Sequence, residues 1–118
     1  MLIGGVFMEI SLEEIKQAAN KLTGVINSTE LMRSSTFSRL TNNKIYLKPE
    51  NLQRTGSFKI RGAYNKISHL TAEEKSAGVI ASSAGNHAQG VALAATESGI
   101  ESTIVMPEQA PIAKVTAT

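Results

Sequence analysis

The 118-residue sequence contains no cysteine and no tryptophan, and aromatic residues make up only 4% of it. The absence of cysteine excludes disulfides, thiolate metal sites and a cysteine nucleophile. It also favours a reducing compartment, so we expect a cytoplasmic protein. The hydrophobic fraction is 42%, which is enough for a core built mainly from aliphatic side chains. No apolar run approaches the ~18 residues that a membrane-spanning helix needs.

Charge is also limited and evenly spread. Twelve basic and ten acidic side chains leave a formal net charge of +2. A nucleic-acid-binding face would need clustered lysines and arginines, so neither nucleic acid nor a membrane is expected as a partner. With only two histidines and no cluster of ligands, no metal site is predicted. Residues 1–8 lack the basic segment of a signal peptide, and glycines interrupt their short apolar run.

The first 45 residues contain one clear helix signal. Ser11 and Glu14 form a capping box, which predicts a helix over residues 11–23. Residues 27–43 are rich in serine, threonine and asparagine. We expect them to form a connection with a single helical turn around residues 37–40.

From residue 45 onward, strand and helix patterns alternate. Strands are predicted at 45–47, 78–82 and 102–106, and helices at 58–69, after a capping box at Thr71, at 87–98 and from Pro111 onward. This order is typical of an α/β protein with three layers and a doubly wound parallel sheet. We expect the three strands to lie in one sheet. In such sheets, ligands bind beyond the carboxyl ends of the strands.

Lys59 is the first candidate site residue, within Gly-Ser-Phe-Lys-Ile-Arg-Gly-Ala at residues 56–63. Ser57 or Gly56 is expected to cap the helix that starts here. A lysine amine attacks a carbonyl only when it is unprotonated, and apolar neighbours such as Phe58 disfavour its charged form. Such a lysine can form a Schiff base, including one with pyridoxal phosphate. Taken alone, the tripeptide more often marks a solvated lysine in a first helical turn.

The second candidate is the turn Ser-Ser-Ala-Gly-Asn-His-Ala-Gln-Gly at residues 82–90. Gly85 is expected to allow an unusual backbone, and the amides after it point from a helix N-terminus, where a substrate carboxylate is favoured. Asn86 can donate and accept hydrogen bonds, which suits a phenolic oxygen on a cofactor ring. His87 has no Ser-His-Asp partner in the sequence, so we expect it to cap or line the turn. The alternative is an ordinary asparagine-glycine turn between strand and helix.

Three segments, in order, resemble the threonine dehydratase (threonine ammonia-lyase) family, part of the tryptophan-synthase-β-like (fold type II) group of pyridoxal-phosphate enzymes. Residues 47–63 are similar to the family's lysine segment. Residues 83–90 are similar to its substrate-carboxylate loop, and residues 105–118 to the segment that follows. The resemblance extends over roughly residues 9–118, and three correctly spaced motifs outweigh the simpler interpretation of each one alone.

The resemblance implies roles for individual residues. Lys59 would be catalytic: it would bind pyridoxal 5'-phosphate as a Schiff base and then remove the proton from the substrate Cα. Phe58 would pack near the cofactor, and Asn86 would bond its ring oxygen. The predicted substrate-binding residues are Ser83, Ala84, Gly85, Asn86 and His87.

The implied reaction is β-elimination, in which L-threonine gives 2-oxobutanoate and ammonia, and L-serine gives pyruvate. Serine racemases of this group carry a serine at the position of Ala84, where it acts as a second acid and base. Because Ala84 has no proton to transfer, the sequence favours elimination over racemisation. The alternatives are a serine racemase or serine dehydratase relative, and a non-catalytic α/β module. The resemblance also implies a homo-oligomer, a dimer or tetramer, in threonine catabolism or isoleucine biosynthesis.

The family's glycine-rich phosphate loop comes later in the chain than these segments, and so does its contact to the pyridine nitrogen. We therefore expect an N-terminal fragment that does not catalyse the reaction alone. Residues 1–45 would belong to the large cofactor domain of the intact enzyme. Residues 46–118 would be the start of its small α/β domain.

Overall fold

The computed structural model describes residues 9–116 and 118, so the predictions about residues 1–8 lie outside it. The helices are α1 (Leu12–Leu22), α2 (Ser35–Thr41), α3 (Lys59–Ser68), α4 (Ala72–Ala77), α5 (Asn86–Glu97) and α6 (Ile112–Thr116). The strands are β1 (Met32–Arg33), β2 (Tyr46–Leu47), β3 (Val79–Ser82) and β4 (Ser102–Val105), and a 3₁₀ turn covers Glu50–Leu52. The predicted elements after residue 45 are all present, with ends shifted by one or two residues.

The predicted capping box at the start of α1 is confirmed. The Ser11 hydroxyl accepts a hydrogen bond from the Glu14 N–H at 3.2 Å, and the Glu14 carboxylate accepts one from the Ser11 N–H at 2.7 Å. The bond from the Ser11 N–H, and after it a bond that the Ser11 hydroxyl donates to the same carboxylate, lower the pKa of Glu14. Two N–H groups that the helix itself leaves unpaired are satisfied in this way.

The connection predicted over residues 27–43 is more structured than expected. Helix α2 spans seven residues, and its first turn is capped by the Ser34 hydroxyl, which accepts from the Phe37 N–H at 3.2 Å. Strand β1 pairs antiparallel with β2. The prediction of three strands in one parallel sheet is therefore wrong for the described residues. A two-residue strand is too short to show the alternating pattern of a strand in the sequence. Its pairing depends on a partner that is distant in sequence.

The parallel sheet consists of β3 and β4, with α5 as the crossover between them. Val79 and Ala81 of β3 pack against the core, whereas Ile80 between them is 78% exposed. Side chains alternate between the two faces of a strand, so this sheet is covered on one face only. The prediction that β3 is buried holds for that face and is wrong for the other.

The core lies where α3 and α5 pack against each other and against this sheet. Its buried members are Ile60, Ala63, Ile67, Val91, Ala94, Ala95 and Ile100. Ile60 is completely buried, and it is the residue directly after Lys59. The core therefore fixes the backbone of α3 at its first turn. The small alanines of α5 allow the two helices to approach closely.

A polar network joins residues 25–29 to the segment that leads into α3. Glu50 accepts two hydrogen bonds from the Arg61 guanidinium, each at 2.8 Å, and one from the Thr29 hydroxyl at 2.6 Å. The Arg61 hydrogen bonds are the largest cause that lowers the pKa of Glu50 to about 2. The buried side chain of Gln53 accepts from the Asn27 N–H and donates to the Asn27 carbonyl.

None of the helices in the described part of the chain is long and apolar enough to cross a membrane.

Candidate active site

The turn before α3 determines that the helix starts at Lys59. Gly56 has φ +66°, a left-handed conformation that favours glycine, and its N–H donates to the Gln53 carbonyl at 2.7 Å. Phe58, rather than the predicted Ser57 or Gly56, is the N-cap, and no side chain caps the helix. Ser57 is buried, and its hydroxyl accepts weakly from the Lys59 N–H at 3.4 Å. The turn thus orients the first residue of the helix without a conventional cap.

Lys59 lies at the edge of an open cleft of about 480 Å³. The cleft lies between α3, β3 and α5, and its lining is mainly apolar. It comprises Gly62, Ala63 and Ile67 of α3, Phe58 and Leu70 at either end of that helix, Val79, Ile80, Ala81 and Val91, together with Lys59, Lys66 and His87. The Lys59 Nζ lies 5.1 Å from the centroid of the Phe58 ring. Both side chains are exposed, so the apolar setting expected for Lys59 is present as one wall rather than as an enclosure.

Gly90 of α5 lies against the backbone of Lys59. A Cβ placed on Gly90 would be 3.1 Å from the Lys59 carbonyl carbon and 3.2 Å from the Lys59 Cβ. Such distances are tighter than nine in ten real contacts of a Cβ. The missing side chain therefore lets α5 approach the lysine turn, and it brings the second motif against the first.

The β3–α5 turn carries the other predicted site residues. The Ser83 hydroxyl accepts from the Gly85 N–H at 3.2 Å, and Ala84 is half-buried. Asn86 is the first residue of α5, and His87 lines the same cleft as Lys59. The structure thus brings Lys59, Phe58 and His87 together and places the rest of the turn beside them.

Gly85 does not have the unusual backbone that was expected of it. Its φ of −134° is extended backbone that other residues also adopt. A Cβ at this position would meet nothing within 4 Å. No protein atom among the described residues therefore requires glycine here, and the open space beside the turn is available to a bound group.

Lys114 contacts this turn from α6, a relationship that the sequence did not reveal. Its Nζ donates to Asn86 Oδ1 and to Gln89 Oε1, each at 2.8 Å. The sequence offered no signal for this pairing, because 28 and 25 residues separate the partners. Asn86 thus has its oxygen engaged by a cation, which leaves its amide N–H groups to face elsewhere.

These groups fit a ring such as that of pyridoxal phosphate. The cleft offers a primary amine at its edge, a predominantly apolar lining and an aromatic side chain beside the amine. Asn86 offers amide N–H donors beside His87, which lines the cleft. The amine can react with a carbonyl carbon, the apolar lining can hold a flat ring, and the amide N–H groups can donate to a ring oxygen. Within residues 9–116 and 118, no group of three or more acidic or histidine side chains could hold a metal ion.

Comparison with known proteins gives a consistent result. The sequence model described as "Pyridoxal-phosphate dependent enzyme" matches residues 22–118. The chain is 62% identical over 109 residues to the L-threonine ammonia-lyase of Thermotoga maritima, a match that covers 92% of this chain and 27% of that protein.

Solved structures of related enzymes also resemble this chain. The serine racemase of Dictyostelium discoideum matches with a TM-score of 0.85 and 41% identity, over 92% of this chain and 36% of that one. The processed form of threonine deaminase isoform 2 from Solanum lycopersicum matches with a TM-score of 0.75 and 39% identity, over 91% of this chain and 31% of that one. The chain spans about a quarter to a third of the length of the relatives it matches.

Proposed function

The chain belongs to the pyridoxal-phosphate dependent enzyme family, and from that premise we propose that it supplies the lysine and the substrate-carboxylate loop of a threonine ammonia-lyase. One observation carries the proposal: Gly90 packs the start of α5 against Lys59, and Lys59 and His87 line one cleft. The proposal concerns a chain of the relatives' length that contains this sequence, called the full-length protein below. Its substrate follows the names of relatives that are 51% to 62% identical to this chain.

Three residues would hold the cofactor. The Lys59 amine would bind its aldehyde carbon, Phe58 would pack near the ring, and Asn86 would donate to the ring oxygen. When bound, pyridoxal phosphate supplies an electron sink for the negative charge that develops at the substrate Cα. The residues of this chain supply positioning and proton transfer.

The substrate carboxylate would lie at the start of α5. Ser83, Ala84, Gly85, Asn86 and His87 form this turn, and the N-terminus of a twelve-residue helix favours an anion. The open space at Gly85 would admit the carboxylate close to the backbone. A carboxylate bound there would place the Cα of the substrate over the same cleft that Lys59 borders.

Lys59 would then act on the bound amino acid. The substrate amine would first take the place of the Lys59 amine on the aldehyde carbon, which frees Nζ. The freed Nζ would accept the proton from the substrate Cα, and that proton would leave with the β-hydroxyl as water. Hydrolysis of the carbon–nitrogen bond in the product that remains gives 2-oxobutanoate and ammonia from L-threonine, and pyruvate and ammonia from L-serine. Ala84 carries no acid or base, so nothing at this position would return a proton to the opposite face.

An assay of the full-length protein with L-threonine, L-serine and D-serine tests this proposal. We expect oxoacid and ammonia in equal amounts from the L-amino acids, and loss of that activity in Lys59→Ala. Lys66→Ala is the matched control, because Lys66 lines the same cleft one lysine further along α3. Racemisation without oxoacid would instead favour the serine racemase relative, and no reaction at all would favour a non-catalytic α/β module.

The division into residues 1–45 of a large domain and residues 46–118 of a small domain, and the assembly into a dimer or tetramer, stay predictions.

A further inference from the structure

Lys114 connects the last helix to the site. It is half-buried, and its ammonium donates to the side-chain oxygens of Asn86 and Gln89 at 2.8 Å each. Asn86 and Gln89 are three residues apart on α5, so their side chains lie on the same face of the helix. One cation therefore bridges two neighbouring amides at the start of α5.

The chemistry of a lysine fixes how these amides are turned. An ammonium has three N–H donors and no acceptor, whereas a side-chain amide has a donor end and an acceptor end. Both amides must therefore direct their oxygens to Lys114. The –NH₂ group of Asn86 consequently faces away from the ammonium, and a neutral partner able to donate and accept would not impose this orientation.

The helix dipole opposes this position of a positive charge, and the two hydrogen bonds to Asn86 and Gln89 hold it there. Lys114 lies at the N-terminal end of α5, where the helix dipole disfavours a cation. Helix α6 itself has little apolar packing, since Ile112 is 83% exposed and Val115 is 53% exposed. A charge placed against a local preference, beside a predicted cofactor ligand, indicates a functional role.

We propose that Lys114 is a positioning residue, which orients the Asn86 amide so that its N–H donates to the ring oxygen of the cofactor. This inference rests on the proposed function, because it needs the cofactor on Lys59. Lys114 itself contacts neither cofactor nor substrate in this proposal. It acts through Asn86.

The test uses the full-length protein loaded with pyridoxal phosphate. We expect Lys114→Met to shift the absorption maximum of the Lys59-bound cofactor and to weaken cofactor binding about tenfold, the usual effect of losing a hydrogen bond to a charged group. Ile112→Ala is the matched control on the same helix and should leave both unchanged. Lys114→Arg, which keeps the charge and the donors, should restore most of the wild-type spectrum.

A double-mutant cycle separates orientation from general damage. Asn86→Ala should shift the absorption maximum as Lys114→Met does, and the double variant should shift it no further. Shifts that add, or a Lys114→Met protein with the wild-type maximum, would overturn the proposal. If the wild-type protein does not attach the cofactor to Lys59, the proposed function fails and this inference fails with it. If the attachment is normal, only the role of Lys114 is at stake.

Asn86→Asp keeps the proposal testable even if Lys114→Met does not fold. An ionised aspartate still accepts from Lys114 but has no N–H for the ring oxygen. We expect this variant to be at least as stable as the wild type and to show the absorption maximum of Asn86→Ala. A wild-type maximum in Asn86→Asp would overturn the proposal.

Discussion

Gly90 of α5 lies so close to Lys59 of α3 that a Cβ on Gly90 would make a tight contact with the Lys59 backbone. A Cβ on Gly90 would lie 3.1 Å from the Lys59 carbonyl carbon and 3.3 Å from the Ile60 nitrogen. Ile60 is completely buried, so the backbone of α3 cannot easily move away. The absence of a side chain at Gly90 therefore determines how closely the start of α5 approaches the turn that carries Lys59.

Gly90→Ala should push α5 away from Lys59. We expect a loss of about 1–3 kcal/mol in the free energy of unfolding, as for other groups inserted into a well-packed contact, together with weaker cofactor binding. Urea denaturation and a cofactor titration of the full-length protein measure the two effects. Gly62→Ala is the control for stability, because its Cβ would meet nothing within 4 Å and alanine favours a helix by about 1 kcal/mol. Equal stability of both variants would contradict the contact.

Glu50 should make the protein sensitive to acid. Its pKa falls from an ordinary value of 4.5 to about 2, chiefly through the Arg61 hydrogen bonds. A lowered pKa in the folded state means that ionised Glu50 stabilises the fold above about pH 4.5, and that this stabilisation is lost as pH falls toward 2. The side chain is 18% exposed, so we expect an effect on the order of 2 kcal/mol at neutral pH.

Urea denaturation of Glu50→Gln across this pH range checks that effect. The difference from the wild type should be largest at neutral pH and should shrink between pH 4.5 and 2. Glu97→Gln is the matched control, since Glu97 pairs with Arg54 at the surface, where an ion pair contributes about 0–1 kcal/mol. A constant difference between Glu50→Gln and the wild type at all pH values would rule out this role of Glu50.

Ala84→Ser should introduce an acid and base where the proposed enzyme has none. The residue is half-buried in the β3–α5 turn, so a hydroxyl there lies next to the predicted carboxylate site. We expect the variant to form detectable D-serine from L-serine while it still produces pyruvate. Chiral chromatography of the reaction mixture is the measurement. Ala88→Ser, at a fully buried position within α5, serves as the control. Racemisation by the unmodified protein would contradict this role of Ala84.

Most of the fold after residue 45 was predictable from local signals. The Thr71 capping box and the helices expected at 58–69 and 87–98 each depend on nearby residues, and each lies within one residue of its expected position. Strand pairing was not predictable, because β2 pairs with β1, a two-residue strand with no readable pattern. Local sequence determines helices more directly than it determines partners in a sheet.

The candidate site was predictable in its residues and not in its contacts. Lys59 and Asn86 stood out because each lies at a strand-to-helix turn with unusual neighbours. The bridge from Lys114 could not be foreseen, since a lysine in a short helix is ordinarily a solvated charge. The close fit of Gly90 was also hidden, because glycine within a helix has several possible causes. Both contacts join residues that are distant in sequence, so only the folded chain reveals them.

Covalent trapping tests the central claim most directly. The full-length protein is incubated with pyridoxal phosphate, reduced with borohydride, digested and analysed by mass spectrometry. We predict that the cofactor label lies on Lys59, and that Lys66 and Lys114 are unlabelled. Lys59→Ala should carry no label, whereas Lys66→Ala should be labelled as the wild type is. A label on another lysine, or equal labelling of Lys59→Ala, would contradict the account.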